Sequence, residues 1–239
     1  MIRKFLLTAG LAVTAALAVP AASQAAFMVT FSVSGQPSIV IVDNGAGDTN
    51  PTANRIGFSG TIDGFNVDID ATSNSPTGGI GGARIQQNLL VTTVGGAPAN
   101  PLVVDVFSDG FTLGAGPVRL TNAISESTFD PVGVATATST ISPGGTTAPA
   151  TVSSGRVPDA QSSILVTNTT SPFSLSNSTT ISGLQGNGSQ FNGTVTTTAN
   201  LAVNAVPAPS ALLLGLLGVP AFGLLRRRLG VASSETAVA

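Results

Sequence analysis

The sequence predicts an all-β protein, an antiparallel β-sandwich flanked by an N-terminal signal helix and a C-terminal apolar helix. Three observations lead there. Apolar and polar residues alternate with period two along several short segments. Clusters of Gly, Pro, Asn and Asp separate those segments. No apolar stripe of period 3.6 occurs outside the two ends. Gly and Pro supply 28 and 15 of the 239 residues, which suits a turn-rich β protein.

At the N-terminus, Arg3 and Lys4 precede an apolar run over residues 5–19 and a small-residue site at Ser23-Gln24-Ala25. That is the order of a secretory signal peptide. The run falls short of the ~20 residues a spanning helix needs. Residues 1–25 therefore read as a leader, cleaved after Ala25, which sends the rest across the inner membrane.

Residues 26–205 read as the sandwich ectodomain. Phe27, Val29, Phe31 and Val33 alternate with Met28, Thr30, Ser32 and Ser34, the pattern of a half-buried strand. Residues 38–42 form a short apolar run. Phe65, Val67 and Ile69 then alternate with Asn66, Asp68 and Asp70. Residues 85–93, 102–107 and 132–141 read as further strands, the last rich in β-favouring Val and Thr. Near the end, Phe191, Val195, Ala199, Leu201 and Val203 share one parity, with Asn192, Thr194, Thr196 and Thr198 on the other. Turn chemistry lies between, at Asp43-Asn44-Gly45, Asp109-Gly110, Pro143-Gly144-Gly145 and Gly186-Asn187-Gly188. Residues 130–161 are low in large apolar side chains and read as a long excursion.

The C-terminal end has its own order. Val206, Pro207, Ala208, Pro209 and Ser210 precede an apolar segment over residues 211–225, and Arg226, Arg227 and Arg228 follow it directly. The segment is about 22 Å long as a helix, short for an untilted span. Arginines beyond an apolar helix hold that end in the cytoplasm, which agrees with export of the middle. A permanently membrane-anchored surface protein is one reading of this pattern, although Gly215, Gly218 and Pro220 make the segment a poor anchor.

The Pro-x-Pro motif, apolar helix and arginine cluster together resemble the PEP-CTERM sorting signal of Gram-negative bacteria that make exopolysaccharide. The resemblance covers residues 206–228. It implies transient insertion in the inner membrane and recognition by an exosortase-type processing enzyme that cuts near the motif. The cut product then reaches the cell surface or extracellular matrix. Ala208 stands where the family usually has Glu, and residues 229–239 continue past the arginines as a short tail that reads as disordered. Residues 39–65, with Asp43-Asn44-Gly45 and Ile56-Gly57-Phe58-Ser59-Gly60, are similar to a set of secreted bacterial β-rich proteins that often carry this tag. No activity is implied by that likeness.

Composition excludes several chemistries. With no Cys there is no disulfide framework or thiolate site, and with no His there is no imidazole base or ligand. Residues 26–209 carry four arginines against nine aspartates and Glu126, a net charge of −6 without a lysine. Phosphate backbones would be repelled, so nucleic acid is not a partner. The glycines at 78, 79, 81 and 82 lack the Lys of a phosphate loop.

What remains is carboxylates, hydroxyls and arginines. Asp68 and Asp70, at i and i+2, share one strand face, with Asp63 nearby in sequence; paired carboxylates are what glycoside hydrolysis needs. Neither Trp nor Tyr accompanies them, and solvated outer-face aspartates are the plainer reading. Asp43, Asn44, Asp48 and Asn50 offer hard oxygen donors suited to Ca²⁺, without EF-hand spacing. Ser and Thr fill 47 of the positions 26–206, and sequons begin at Asn168, Asn177, Asn187 and Asn192, suggesting a surface that carries sugar or bonds to it. The expectation is an exported, non-enzymatic surface or matrix protein without a cofactor, partnered by an exosortase-type enzyme and extracellular polysaccharide. The alternative is a carbohydrate-binding or carbohydrate-active module, calcium-dependent through Asp43 and Asp48.

Overall fold

The computed structural model describes residues 25–75, 82–96, 98–129, 132–143, 146–153, 160–167 and 169–202. The expected signal helix, the apolar helix and the sorting residues lie outside them. Among the described residues no helix is long and apolar enough to cross a membrane.

The described residues form twelve strands: β1 (Phe27–Val33), β2 (Ile39–Val42), β3 (Arg55–Ile62), β4 (Phe65–Ser73), β5 (Ala83–Thr93), β6 (Leu102–Phe111), β7 (Val118–Phe129), β8 (Val134–Ser142), β9 (Thr146–Ser153), β10 (Ala160–Val166), β11 (Phe173–Ser182) and β12 (Gln190–Leu201). They make two six-stranded sheets, ordered β2-β1-β6-β11-β8-β9 (sheet A) and β10-β7-β12-β5-β4-β3 (sheet B). Every neighbouring pair is antiparallel. The sandwich expected from sequence is therefore present.

Alternation dictates the layers, because successive side chains of a strand point to opposite sheet faces. In β1, Phe27, Val29, Phe31 and Val33 turn inward, and in β4 Phe65, Val67, Ile69 and Ala71 do the same. Phe27, Phe31, Phe65, Phe111 and Phe191 are fully buried, each stabilising the fold by about 1.5–3 kcal/mol. Between β3 and β4 the link is Asp63-Gly64, with φ of 40° and 83°. Two positive values are what a two-residue hairpin turn of the I′ kind demands, and Asp-Gly tolerates them.

The structure departs from the sequence expectation in several places. Asp109-Gly110, expected as a turn, lies inside β6 beside a register shift opposite β11. Residues 130–161 hold all of β8, all of β9 and the start of β10, not an excursion between strands. Their inward positions are filled by small residues such as Ala135, Ala137 and Ala148, so the large-apolar signal of a strand is missing while the backbone ladder persists. Leu201, grouped with the inward residues of β12, is 39% exposed at the strand's end.

Across the middle of the sandwich the core is polar. Gln87 of β5, Asn122 of β7 and Thr197 of β12 face Ser139 of β8 and Asn177 and Thr179 of β11, all buried. The Asn177 amide lies 3.0–3.1 Å from Asn122 Oδ1, Ser139 Oγ and Thr197 Oγ1. Gln87 Nε2 donates to Asn177 Oδ1 at 3.1 Å and to Thr179 Oγ1 at 2.6 Å. Asn122 Nδ2 reaches two carbonyls of the opposite sheet, Ala137 O at 2.8 Å and Ala148 O at 3.0 Å. Three elements of sheet B are thus bonded to three of sheet A through side chains.

Removing a shared donor from such a cluster strands its acceptors, at about 1–3 kcal/mol for each buried group left unpaired. Asn177→Ala is therefore expected to lower unfolding stability by at least about 2 kcal/mol, read as a fall in the urea midpoint at unchanged slope. Ser176→Ala, one residue along on the outer face of the same strand, should stay within about 0.5 kcal/mol of wild type.

Candidate functional site

The β3–β4 hairpin and β5 carry the outward side chains singled out in the sequence. Asp68 and Asp70 do share the outer face of sheet B, while Asp63 is spent on the hairpin turn. The two carboxylates have different surroundings. Asp70 is gripped by Arg55 of β3, whose Nε donates to Oδ1 at 2.8 Å and Nη2 to Oδ2 at 2.6 Å. This bidentate contact, first through hydrogen bonding and then through charge, raises the Arg55 pKa above the ordinary arginine value. Asp68 has no such partner and stands exposed.

Asp68 forms part of a depression of about 310 Å³ on β3, β4 and β5. Ser59, Thr61, Asn66 and Thr92 line it with hydrogen-bonding groups, and Leu90, 37% exposed, supplies an apolar floor. Register places Ser59, Asp68 and Leu90 side by side in one row, and Thr61, Asn66 and Thr92 in the next. Thr61 Oγ1 donates to Asn66 Oδ1 at 2.7 Å, which fixes the amide and leaves its NH₂ free to donate outward. A carboxylate acceptor, an amide donor, hydroxyls of both kinds and one apolar contact form a set suited to a polyhydroxylated ligand.

The other candidates are placed differently. Asp48 takes up backbone N–H groups: Oδ1 accepts from Asn50 at 2.8 Å and Gly57 at 3.0 Å, and Oδ2 from Asn44 at 2.9 Å. Asp43 Oδ2 accepts from the Asn54 N–H at 2.8 Å. The loop thus uses its carboxylates to close its own backbone, the local bonding that Asx residues offer in turns. Among the described residues no three acidic side chains come together to hold a metal ion. Of the sequons, Asn187 and Asn192 are exposed, Asn168 lies outside the described residues, and Asn177 is 2% exposed at the centre of the polar core. Asn177 is therefore no acceptor for sugar, because its amide is consumed between the sheets.

Arg55 escaped the sequence reading although a signal for it existed. Asp63-Gly64 between apolar runs specifies a two-residue hairpin, which pairs Ile62 with Phe65 and brings Arg55 diagonal to Asp70. Glu126 enters the sequence only as a charge, with no signal of its surroundings. It opposes Gly193 across the β7–β12 ladder, beside a register shift, and its Oε2 is buried without a hydrogen-bond partner.

Among known proteins, no protein-family model matches the chain, and no curated protein matches it. One solved structure with similarity is that of a carbohydrate-binding module studied for specific mannan recognition. It is 16% identical, with a TM-score of 0.29, over 60% of this chain and 88% of that one.

Burial pushes the Glu126 carboxyl above the usual glutamate range. The folded state thus favours the protonated form, so this group's contribution is greatest below its unfolded pKa of about 4.3 and is lost as pH rises through the folded value. Glu126→Gln is expected to be more stable than wild type at neutral pH, with a flatter pH dependence over that window. Urea titrations at a series of pH values measure it; parallel curves for the two proteins would contradict it.

Proposed function

We propose that this chain is an exported, non-enzymatic surface or matrix module that binds extracellular polysaccharide in the depression over Asp68. The observation that carries the reading is the pairing of unlike carboxylates on one face. Asp70 is neutralised by Arg55, and Asp68 is left as a lone acceptor beside Asn66, Thr92 and Leu90. A lone carboxylate can bridge two neighbouring sugar hydroxyls, while Leu90 meets the C–H face of the ring. Hydrolysis needs a second carboxyl free to give or take a proton, and here the neighbour is committed to a guanidinium. One uncompensated negative charge favours neutral polysaccharide over acidic polymers. Residues 206–228 act as the sorting signal in this reading, with Val206–Ser210 met by an exosortase-type enzyme and Arg226, Arg227 and Arg228 holding the tail in the cytoplasm.

Asp68→Asn should weaken binding to a neutral polysaccharide about tenfold, the scale of one hydrogen bond to a charged group. Affinity electrophoresis in gels with and without a soluble neutral mannan or glucan reads it. Arg84→Ala, on the same sheet but away from the depression, should leave mobility unchanged. Equal retardation of wild type and Asp68→Asn, or none of either in any neutral polymer, would refute the site.

The sorting reading has its own measurement. Deleting residues 206–228 should shift the protein from the cell surface to another fraction, followed by immunoblotting of inner membrane, surface and medium. An unchanged distribution would refute the signal.

A further inference from the structure

At the mouth of β1, the Ala26 backbone nitrogen donates to Asp109 Oδ1 of β6 at 2.5 Å, a contact between residues 83 apart in sequence. In return the Asp109 N–H donates to Ala26 O at 3.1 Å, so the two backbones are clamped in both directions. Asp109 is held from a third side, where Ser75 Oγ donates to its carbonyl. Ser73 Oγ and Ser108 Oγ are bonded at 2.8 Å immediately behind. Gly110 has φ of 76°, and a Cβ there would lie 2.9 Å from that of Ala25. Ala25 thus lies close against the backbone that presents Asp109.

An ordinary amide does not require a carboxylate here, since any carbonyl or hydroxyl would serve. The position acquires a reason when joined to the leader reading, on which this inference rests. Cleavage after Ala25 turns the Ala26 nitrogen from an amide with one N–H into an α-ammonium with a full positive charge. We propose that Asp109 is the docking site for that new ammonium, so that removal of the leader converts a neutral hydrogen bond into an ion pair that fastens β1 to β6.

The surroundings suit a cation. Asp43 follows β2 on the other flank of β1, its N–H donating to Phe27 O at 3.0 Å, and its Oδ1 is buried without a partner. Asn74, Ser73 and Ser75 at the end of β4 are uncharged. Of the nearest cations, Arg55 is paired with Asp70 and Arg84 is exposed on the outer face of sheet B. Residues 76–81 contain no charged side chain. The ammonium thus meets the Asp109 carboxylate of β6, and among the described residues no arginine is bonded to that carboxylate.

An opposite charge at such range raises an amine's pKa, and the effect has a defined sign. The folded amine holds its proton more tightly than the unfolded one. Stability from the pair is therefore complete below the ordinary α-amino value of about 7.7–8.0 and is lost as pH rises through the raised folded value. The test uses residues 26–239 with an authentic Ala26 terminus, released from a fusion partner, beside an Nα-acetylated form and Asp109→Asn. The α-amine pKa, read by pH-dependent reductive methylation and mass spectrometry, should be about one unit or more higher in wild type than in Asp109→Asn. Wild type should lose thermal stability between about pH 8 and pH 10, and the acetylated form should lack that pH-dependent loss. Equal amine pKa values in wild type and Asp109→Asn overturn the ion pair. Intact mass of the exported protein checks the leader separately: a terminus at any residue but Ala26 overturns the processing step while leaving the first measurement standing.

Discussion

The hydrogen-bonded cluster around Asn177 ties β11 of one sheet to β7 and β12 of the other. An apolar core tolerates sliding of one sheet over the other, because dispersion contacts are non-directional. Amides and hydroxyls facing each other across the core do not. Asn177 meets Asn122, Ser139 and Thr197 in one alignment of the sheets only. Slipping β11 by one residue would turn it outward and bring Ser176 or Ser178 into its place. Slipping by two would offer Thr179 or Leu175, neither of which can donate two amide hydrogens. The cluster therefore sets the register of the central strands, at the cost of burying groups that contribute little net energy of their own.

That fixed register carries the outer faces with it. The row Ser59, Asp68, Leu90 and the row Thr61, Asn66, Thr92 exist because β3, β4 and β5 are locked by their ladders, and β5 is tied through Gln87 to β11 of the other sheet. Charge is divided between the two layers. The described arginines, Arg55, Arg84 and Arg119, all lie on sheet B. The outward row of sheet A reads Met28, Phe107, Ser176 and Thr140 across β1, β6, β11 and β8. Sheet A thus presents Asp105 of β6 outward with no described arginine on its strands, while sheet B bears the ion pair and Asp68.

Strands were legible in the sequence where apolar residues fill every inward position. β1, β4 and the first half of β6 qualify, and β5 is legible too despite Gln87 and Thr93 among its inward positions; all four lie near the expected places. β7 and β11 were not picked out, and the reason is physical. Their inward positions include Asn122 in one and Asn177 and Thr179 in the other, which interrupt the alternation where the network sits. Such residues are satisfied only by partners on other strands, and a single strand's sequence does not contain those partners. At the candidate site the shared face of Asp68 and Asp70 followed from period two alone. The inequality between them did not, because it depends on a diagonal contact across a hairpin.

The strands nearest the C-terminus occupy the middle of both layers: β11 lies between β6 and β8, and β12 between β7 and β5. This has a consequence for timing. A chain made from its N-terminus presents ten strands before either keystone arrives. Until then β6, β8, β7 and β5 expose unpaired edges of the kind that invite aggregation. Pro207 follows Leu201 by six residues, at most about 20 Å of extended chain. A tether at that point would hold the half-built sandwich at the membrane until its last two strands slot in.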